Sequence, residues 1–275
     1  MNTIYHEILP ILSNKRIALD TFRLRVESPS IARSVRPGQF VMLRIPGVLA
    51  PLLGRPIAIY RVEGDVLDIV YAVVGKGTRL LSGLCAEAKL EIWGPLGNGF
   101  PLAPAPVRPL LVGGGIGQTP MFLLAEELLK RPAVRQISLL LGGRDAQHVQ
   151  HLPEFQELAL QNPSRLRLLR ATDDGSVGRH GFVTDLLNEE IATLPAPTDA
   201  QIYACGPEVM LKSVARLAKD ASIPCFVSLE TPMACGMGIC FTCVTKRKDA
   251  AAPEGWDYCR TCVEGPVFDA ETLVW

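Results

Sequence analysis

The sequence predicts an α/β plus β protein with three units in a row: an antiparallel β-barrel, a parallel-sheet nucleotide-binding domain and a small cysteine-rich domain. Short strand-like runs separated by turn residues fill residues 1–101. Strands and helices alternate through residues 102–227, where a glycine-rich loop follows the first strand. Residues 228–275 are too few for a large core but contain five cysteines, so we expect bound metal to organise them.

The composition narrows the classes of partner. The 275 residues carry 28 basic and 28 acidic side chains, so we expect no nucleic-acid partner. Residues 110–129 are the most apolar stretch, but glycines, Pro120 and two glutamates interrupt them, so we expect no membrane span. The N-terminus lacks the charged start and apolar run of a secretory signal, and most cysteines crowd one segment, so we expect a cytoplasmic protein.

The N-terminal runs are typical of a small antiparallel barrel, because several of them alternate apolar and polar residues. Turn pairs such as Pro37-Gly38 and Pro46-Gly47 separate them. The predicted strands cover residues 16–28, 39–45, 56–62, 66–74 and 89–93.

The sequence pattern changes after the barrel. Residues 101–109 contain four prolines, which can continue neither a central strand nor a helix, so they predict a linker. Helical segments with apolar faces then alternate with short buried runs, which indicates a parallel sheet covered by helices. The predicted strands of this sheet cover residues 110–112, 136–141, 165–171, 201–204 and 225–229.

The loop Gly113-Gly114-Gly115-Ile116-Gly117 follows a predicted strand and opens a helix. Residues without Cβ let the backbone approach a phosphate, and a helix N-terminus offers free N–H groups. The spacing is not G-x-G-x-x-G because Gln118 replaces the last glycine, so a tight strand–helix turn is the alternative. Cys205-Gly206-Pro207 also ends a strand, where ligands of such sheets bind; otherwise Cys205 is a small buried residue.

Two segments of the barrel are candidates for a second phosphate-bearing ligand. Arg55-Pro56-Ile57-Ala58 places a cation near a pyrophosphate, with the ring of Tyr60 nearby; the alternative is a surface arginine and a half-buried tyrosine. Gly77-Thr78 offers backbone donors and a hydroxyl, although Thr78 is also a reasonable helix N-cap.

Cys235, Cys240 and Cys243 have the C-x4-C-x2-C spacing of a plant-type [2Fe–2S] site. Glycines between the first two allow the backbone to curl around a cluster and aim N–H groups at its sulfurs. Cys259 and Cys262 are both within reach as the fourth ligand on sequence length alone. A zinc ribbon that pairs residues 240 and 243 with residues 259 and 262 is the alternative, and it leaves Cys235 unexplained.

Taken in order, RPIAIY, GKGT, GPLGNGF, GGGIGQTP and CGP resemble the ferredoxin-reductase superfamily. TDDGSVGRHGFVTDLL and CGMGICFTC…CVEGPVF make the chain similar to electron-transfer subunits of NAD-dependent dihydroorotate dehydrogenases. The resemblance implies an FAD-binding barrel, an NAD-binding domain and a [2Fe–2S] domain. It departs from the family at Ala58, where a serine is usual, and at Cys259, where another residue is usual.

The resemblance also implies roles for individual residues. FAD would be bound by Arg55, Pro56, Ile57, Ala58, Val70, Tyr71, Ala72, Gly77 and Thr78. NAD would be bound by Gly113, Gly114, Gly115, Gly117, Thr119, Cys205, Gly206 and Pro207, with Cys205 and Gly206 near the nicotinamide. The cluster ligands would be Cys235, Cys240, Cys243 and Cys262. No side chain is expected to act as a general base, since the cofactors carry the chemistry.

The implied partner is a catalytic, FMN-containing dihydroorotate dehydrogenase subunit, in a heterotetramer with two copies of each chain, acting in pyrimidine biosynthesis. One alternative is a subunit of an NAD(P)H:ferredoxin or sulfide-type oxidoreductase; another is a zinc-stabilised nucleotide-binding module without turnover. Arg144 and Asp145 end a strand of the nucleotide domain and favour NADP and NAD respectively, so they leave the choice open. The four histidines share no ligand spacing and are interpreted as structural or surface residues.

Overall fold

The computed structural model describes residues 3–147 and 152–275. Its strands are β1 (Tyr5–Ala18), β2 (Thr21–Glu27), β3 (Phe40–Arg44), β4 (Arg55–Ala58), β5 (Arg61–Glu63), β6 (Val66–Ala72), β7 (Lys89–Leu96), β8 (Arg108–Gly114), β9 (Ile137–Gly143), β10 (Leu166–Thr172), β11 (Arg179–His180), β12 (Ala200–Cys205), β13 (Cys225–Ser228), β14 (Val244–Lys248), β15 (Trp256–Arg260) and β16 (Val267–Asp269). Its α-helices are α1 (Pro29–Ala32), α2 (Lys76–Ser82), α3 (Thr119–Leu129), α4 (Pro153–Gln161), α5 (Val183–Ala192) and α6 (Glu208–Asp220).

The first seven strands form one antiparallel sheet in the order β4-β3-β7-β1-β2-β6-β5. Its core consists of alternating residues such as Leu24 and Val26 of β2 and Leu67 and Ile69 of β6, all of them fully buried. The two ends of the sheet curl together, so that β4 lies against β6. The predicted antiparallel barrel is confirmed.

Two predicted strands of the barrel are wrong in detail. Residues 16–28 are not one strand, because the chain turns at Leu19 and Asp20, where Asp20 adopts a φ of +49°. The long strand β1 was missed because it pairs with β7 through one half and β2 through the other, and its residues are mostly half-buried. Residues 56–62 divide between β4 and β5.

The nucleotide domain is a second seven-stranded sheet, in the order β11-β10-β9-β8-β12-β13-β16. All neighbours are parallel except β13 and β16. The central strands are almost continuously buried, as expected for a sheet with helices on both faces. The predicted parallel sheet is confirmed. Because β8 begins this sheet in the chain and lies between β9 and β12, the chain reverses direction across the sheet at β8 and β12.

The C-terminal segment joins both larger units. It forms the hairpin β14–β15 and then adds β16 to the edge of the nucleotide sheet, where Ser228 pairs with Val267. The exact limits of the three predicted domains remain a prediction.

Tyr60 is fully buried between the barrel and the nucleotide domain, where it contacts Phe122 and Phe155. Its hydroxyl donates to the Glu154 carboxylate at 3.3 Å, and Arg23 of the barrel forms an ion pair with the same carboxylate. The alternative of a half-buried Tyr60 is therefore wrong, because the ring belongs to the interdomain core; its closeness to a ligand stays a prediction.

Of the histidines, His6 pairs with Glu91 at 2.8 Å and His180 is exposed, whereas His148 and His151 lie outside the described residues. In the part of the chain that the structure describes, no helix has both the length and the apolar character needed to cross a membrane.

The Glu91 carboxylate in β7 is 7% exposed and accepts hydrogen bonds from Arg44 at 2.5 and 2.6 Å. These bonds hold the pKa of Glu91 below its ordinary value. Such a group stabilises the fold above the pKa of the unfolded carboxyl, and this stabilisation is lost as pH falls through the folded pKa. We expect Glu91→Gln to lower the free energy of unfolding by about 1–2 kcal/mol at pH 7.

Urea unfolding of both proteins between pH 7 and pH 3 checks this expectation, and the difference between them should shrink toward the acid end. The exposed Glu63 pairs with Arg25 in the same barrel, so Glu63→Gln serves as the matched control with a smaller effect. A difference for Glu91→Gln that is independent of pH would contradict the assignment.

Candidate functional site

Arg55, at the start of β4, is held in a fixed position by backbone groups on one side. Its Nη1 donates to the carbonyls of Leu53 at 3.0 Å and Gly54 at 2.9 Å. Gly77, in the first turn of α2, lies directly against the guanidinium, so a Cβ at that position would collide with Nε. A cavity lined by apolar residues including Leu80 opens beside this pair. The arrangement presents a cation next to a chain segment without a side chain, which suits a pyrophosphate.

Thr78 is the third residue of α2, and the N-cap is Gly75. The Thr78 hydroxyl accepts from the N–H groups of Val74 at 3.0 Å and Gly75 at 3.1 Å, and it donates to the Gly75 carbonyl at 3.2 Å. The interpretation of Thr78 as an N-cap is therefore wrong. The hydroxyl is buried and shapes the loop before α2.

Val70, Tyr71 and Ala72 end β6, which faces β4 across the barrel closure. Val70 and Tyr71 are buried, and the Tyr71 hydroxyl donates to Asn14 Oδ1 at 3.1 Å. Burial raises the pKa of Tyr71 to about 12. Tyr71 packs in the barrel core, whereas Val70 lies on the opposite face of the strand, in the cluster that contains Leu111 and Met121. The backbone of the segment remains the part that can meet a ligand. Pro56, Ile57 and Ala58 are half-buried in β4 on the other side of the closure.

The glycine loop after β8 meets the end of β12. Gly115 has a φ of +54° and a Cβ there would meet open space. A Cβ on Gly117 would lie 2.5 Å from the Cys205 carbonyl group and 2.6 Å from the Gly206 nitrogen. The two loops therefore touch at the point where the order of strands reverses, which is where doubly wound sheets bind nucleotides.

The other predicted residues of this loop support its shape. A Cβ on Gly113 would lie 2.8 Å from Cα of Gln118, and one on Gly114 would lie 3.2 Å from Cδ of Pro207. The Thr119 hydroxyl is buried and donates to the Ile116 carbonyl at 2.9 Å. Among the predicted glycines of the loop, Gly115 is the one that faces open space.

Cys205 packs against the core cluster that contains Tyr203. Burial raises the pKa of the Cys205 thiol to about 12, and the thiol is hydrogen-bonded to the Ser228 side chain. At pH 7 this thiol is neutral. The residue as a whole is half-buried. The loop 205–207 can contact a nucleotide through its backbone.

Two loops at the edge of the nucleotide domain, which follow β9 and β10, are hydrogen-bonded to each other. The sequence did not predict this contact. The Ala146 N–H donates to Ser176 Oγ at 2.7 Å, and the Ser176 hydroxyl donates to Asp174 at 2.6 Å. These bonds from Ser176 hold the pKa of Asp174 below its usual value. Arg144 is exposed beside these loops.

Four cysteines come together as two pairs. Cys235 and Cys240 are close enough for their thiols to interact, as are Cys243 and Cys262. Within residues 3–147 and 152–275, no three His, Cys, Asp or Glu side chains converge on one metal ion. A two-iron cluster needs two thiolates on each iron, whereas structural zinc is held by four ligands at one point. The paired arrangement therefore fits a [2Fe–2S] cluster better than zinc.

The loop between the cysteines has the predicted form. Gly236 and Gly238 adopt φ values of +72° and +81°, which close the backbone around the thiols. The Met237 N–H donates to Cys235 Sγ at 3.4 Å, and the Gly238 backbone is hydrogen-bonded to Cys262. The Thr242 hydroxyl donates to Cys240 Sγ at 3.2 Å and, with other hydrogen bonds, lowers the pKa of Cys240 to about 6.

Cys259 lies elsewhere. Its thiol is buried and donates to the Thr245 carbonyl at 3.6 Å, and it belongs to the same apolar core as Cys225 and Phe268. Cys262 instead shares an apolar cluster with Cys243 and three residues of the barrel, Phe40, Met42 and Leu96. The zinc ribbon, which needs Cys259 beside the other cysteines, is not assembled.

Comparisons with known proteins agree with this division of the chain. Residues 111–216 match the family model of the oxidoreductase NAD-binding domain. Residues 230–274 match the iron-sulfur cluster binding domain of dihydroorotate dehydrogenase B. Among solved structures, the NADH-dependent reduced ferredoxin-NADP oxidoreductase superposes with a TM-score of 0.80 at 29% identity, over 98% of this chain and 90% of that chain. An Amycolatopsis cytochrome P450 reductase superposes with a TM-score of 0.68 at 26% identity, over 80% of this chain and 67% of that chain.

Curated relatives extend the match over almost the whole chain. The dihydroorotate dehydrogenase B (NAD(+)) electron transfer subunit of Geobacillus sp. (strain WCH70) is 34% identical over 98% of both chains. The Geobacillus thermodenitrificans subunit is 36% identical over 98% of this chain and 99% of its own length, and the Fusobacterium nucleatum subunit is 34% identical over 94% and 95%. With the ferredoxin-reductase-like fold and paired cysteines described above, these matches show that the chain belongs to the family of dihydroorotate dehydrogenase B electron transfer subunits.

Proposed function

We propose that this chain carries electrons between a partner dihydroorotate dehydrogenase and NAD, through FAD and a [2Fe–2S] cluster, during the orotate-forming step of pyrimidine biosynthesis. The observation that carries the proposal is the direct contact between the cysteine loop and the barrel. Gly236 lies against Met42 and Leu96 of the barrel, and Trp93 Nε1 donates to the Cys235 carbonyl at 3.2 Å. A cluster held there adjoins the flavin domain directly, as electron transfer between the two requires.

The flavin site in this proposal lies at the barrel closure. Arg55 and Gly77 receive the pyrophosphate, and the half-buried strand Arg55–Ala58 and the backbone of residues 70–72 form the walls. Bound FAD would exchange a hydride with the nicotinamide and single electrons with the cluster. Because Ala58 has no hydroxyl, strand β4 binds the flavin through backbone groups and Arg55 carries more of the binding energy.

Arg55→Ala is therefore expected to weaken flavin binding. Charge-assisted hydrogen bonds contribute roughly 1.5–3 kcal/mol each, so the Kd for FAD should rise about ten- to a hundred-fold. Fluorescence titration of the flavin-free protein measures it. Arg61→Ala, a barrel arginine that lies over the Phe122 ring, is the control and should leave the Kd for FAD unchanged. Equal Kd values for Arg55→Ala and wild type would remove Arg55 from the site.

The nucleotide in this proposal lies over Gly115, with its nicotinamide toward Cys205 and Gly206. The Gly117 contact holds these two loops together, and the neutral Cys205 thiol takes no part in proton transfer. The chain therefore binds and orients NAD, and no side chain needs to act as a base.

The catalytic partner docks over the cysteine loop. Met237, Ile239 and Phe241 are 45%, 75% and 62% exposed there, and exposed apolar residues that surround a redox centre favour contact with another protein. A cytoplasmic complex of two FMN-containing catalytic subunits and two copies of this chain would provide that contact.

A second candidate function is electron transfer to ferredoxin, which the similarity to the NADH-dependent reduced ferredoxin-NADP oxidoreductase favours. Both functions use the same cofactors and differ in the partner that covers the cysteine loop.

Cofactor content tests the proposal first. Protein purified anaerobically should be yellow-brown and contain one FAD, two irons and acid-labile sulfide per chain. Stoichiometric zinc with no iron or sulfide after reconstitution would overturn the cluster assignment.

The partner is tested by mixing the chain with an FMN-type dihydroorotate dehydrogenase from the same cell. Reduction of NAD by dihydroorotate that requires both proteins supports the pyrimidine function. Failure in that assay, with rapid reduction of ferredoxin by NADH, would favour the second candidate.

A further inference from the structure

The segment GPLGNGF, residues 94–100, has no role in the cofactor sites described above, yet it contacts the cluster segment directly. Asn98, just after β7, directs its side-chain amide to the chain that follows Cys262. Its Nδ2 donates to the carbonyls of Glu264 at 2.9 Å and Val267 at 2.7 Å, and its Oδ1 accepts from the Val267 N–H at 2.9 Å. The Asn98 amide is therefore committed to residues 264–267.

The backbone of the same segment adds to this contact. The Asn98 N–H donates to the Gly265 carbonyl at 2.6 Å. A Cβ on Gly97 would lie 2.5 Å from Cδ of Pro266, so the two chains touch closely. Residues 264–267 thus rest on the exit of β7 along their whole length.

Trp93 makes the corresponding contact at the other end of the cysteine set. Its indole N–H donates to the carbonyl of Cys235, the first cysteine, at 3.2 Å. The ring is wedged beside Gly54, where a Cβ would lie 2.6 Å from it, and Arg44 covers one face. The indole position is therefore fixed by the barrel.

We propose that Trp93 and Asn98 are positioning residues that hold the first and last cluster cysteines, Cys235 and Cys262, on the flavin barrel. This inference rests on the proposed cluster site. Both residues come from β7 and its exit, and they lie 142 and at least 166 residues before the chain they hold. One barrel strand thereby fixes both ends of the cysteine set relative to the flavin domain.

The arrangement has a physical reason. The three cysteines of the C-x4-C-x2-C loop are close in sequence, but Cys262 belongs to a separate part of the chain. Contacts outside the loop must therefore hold it in position. Backbone groups are the atoms held at both ends: the Cys235 carbonyl at one, and the Glu264 carbonyl with the Val267 carbonyl and N–H at the other. A well-fixed ligand set reduces the rearrangement that accompanies electron transfer and resists loss of metal.

The test uses holoenzyme with FAD and cluster bound. Asn98→Asp keeps the size of the side chain but replaces the amide donor that faces two carbonyl oxygens with an acceptor oxygen. Trp93→Phe removes the indole N–H and keeps a ring. Asn162→Asp and Trp275→Phe are the matched controls. Asn162 Nδ2 donates to the Leu158 carbonyl at 2.9 Å and Trp275 Nε1 donates to the Ala270 carbonyl at 3.1 Å, and neither bond reaches the cysteine loop or residues 262–268.

Three readouts are measured. Loss of visible cluster absorption under a strong chelator should be about five- to tenfold faster in Asn98→Asp and Trp93→Phe than in wild type, as expected for one or more lost hydrogen bonds. Hydrogen exchange of the peptide covering residues 262–268 should be faster in Asn98→Asp and unchanged in Asn162→Asp. In stopped flow, flavin reduction by NADH should keep its rate, while the later reduction of the cluster slows.

The outcomes separate this inference from the proposed function. Wild-type protein that holds no iron would overturn the proposed function itself. Wild-type protein that holds its cluster, with chelator and exchange rates in Asn98→Asp equal to those of Asn162→Asp, would overturn the inference alone. If Asn98→Asp does not fold, Asn98→Ser and Trp93→Phe are measured in the same way. Chelator and exchange rates equal to those of wild type in both variants would overturn the inference.

Discussion

Cys262→Ser is expected to lose the cluster or to change its absorption and EPR spectra, whereas Cys259→Ser should leave both spectra as in wild type. Cys262 is paired with Cys243 and lies in the apolar cluster that joins the cysteine loop to the barrel. A serine alkoxide is a harder ligand than a thiolate and suits iron–sulfur chemistry less well. Iron content after anaerobic purification and the EPR signal of the reduced protein measure the difference.

Cys259→Ser is the matched control because it makes the same chemical change three residues away in the sequence. Cys259 is 6% exposed, and its thiol donates to the Thr245 carbonyl, a bond that a serine hydroxyl can replace. A small loss of stability is expected from the more polar group in the core. Cluster loss in Cys259→Ser with a normal spectrum in Cys262→Ser would make Cys259 the fourth ligand. Loss in both variants would favour the zinc ribbon, in which both cysteines are ligands.

Gly115→Val is expected to abolish most NADH-driven flavin reduction while the protein keeps its flavin and its cluster. The position has a φ of +54° and opens to free space, so a valine fits but is strained and fills the approach to the loop. Loss of backbone contacts to a charged phosphate, roughly 1.5–3 kcal/mol each, corresponds to about a ten- to hundred-fold weaker interaction with the nucleotide. Stopped-flow reduction by NADH measures it, with dithionite reduction as the reference.

Gly64→Val is the control for strain alone. Gly64 lies in the turn between β5 and β6, has a φ of +62° and also faces open space. Its substitution should reduce stability by a similar amount and leave the rate of flavin reduction unchanged. If both variants reduce flavin at the wild-type rate, the loop at Gly115 is only a turn.

The sequence predicted strands correctly where the local hydrophobic pattern matches the packing of the folded chain. Five of the seven strands of the nucleotide sheet were predicted, and β8, β9 and β12 among them are short apolar runs between clear breaks. The short edge strands β11 and β16 were missed. The strand β1 was missed because a strand shared by two neighbours in a closed barrel has no purely polar face. Patterning predicts a strand only where one face differs from the other.

The candidate site shows the same limit. The spacing of Cys235, Cys240 and Cys243 predicts a cluster loop, because its geometry is local. The choice between Cys259 and Cys262 depends on which way each side chain points after a hairpin, and the spacing alone left it open. The roles of Trp93 and Asn98 depend on contacts across more than 140 residues, and no local pattern reveals them.

Side-chain roles were the least predictable part of the site. Tyr60, Thr78 and Cys205 each stand in or beside a ligand-binding motif, yet their polar atoms are engaged within the protein. The Thr78 hydroxyl bonds to the backbone of its own loop, whereas the Tyr60 hydroxyl and the Cys205 thiol interact with side chains far along the chain.

The pairing of β16 with β13 has a practical consequence for shortened forms of the chain. An uncovered edge strand presents unpaired N–H and C=O groups and can recruit a strand from another molecule. A chain cut after Cys262 would retain every cysteine but would uncover the apolar strand β13. We expect such a fragment to self-associate, so its aggregation would reflect the exposed sheet edge and would not report on whether the cysteines can hold metal.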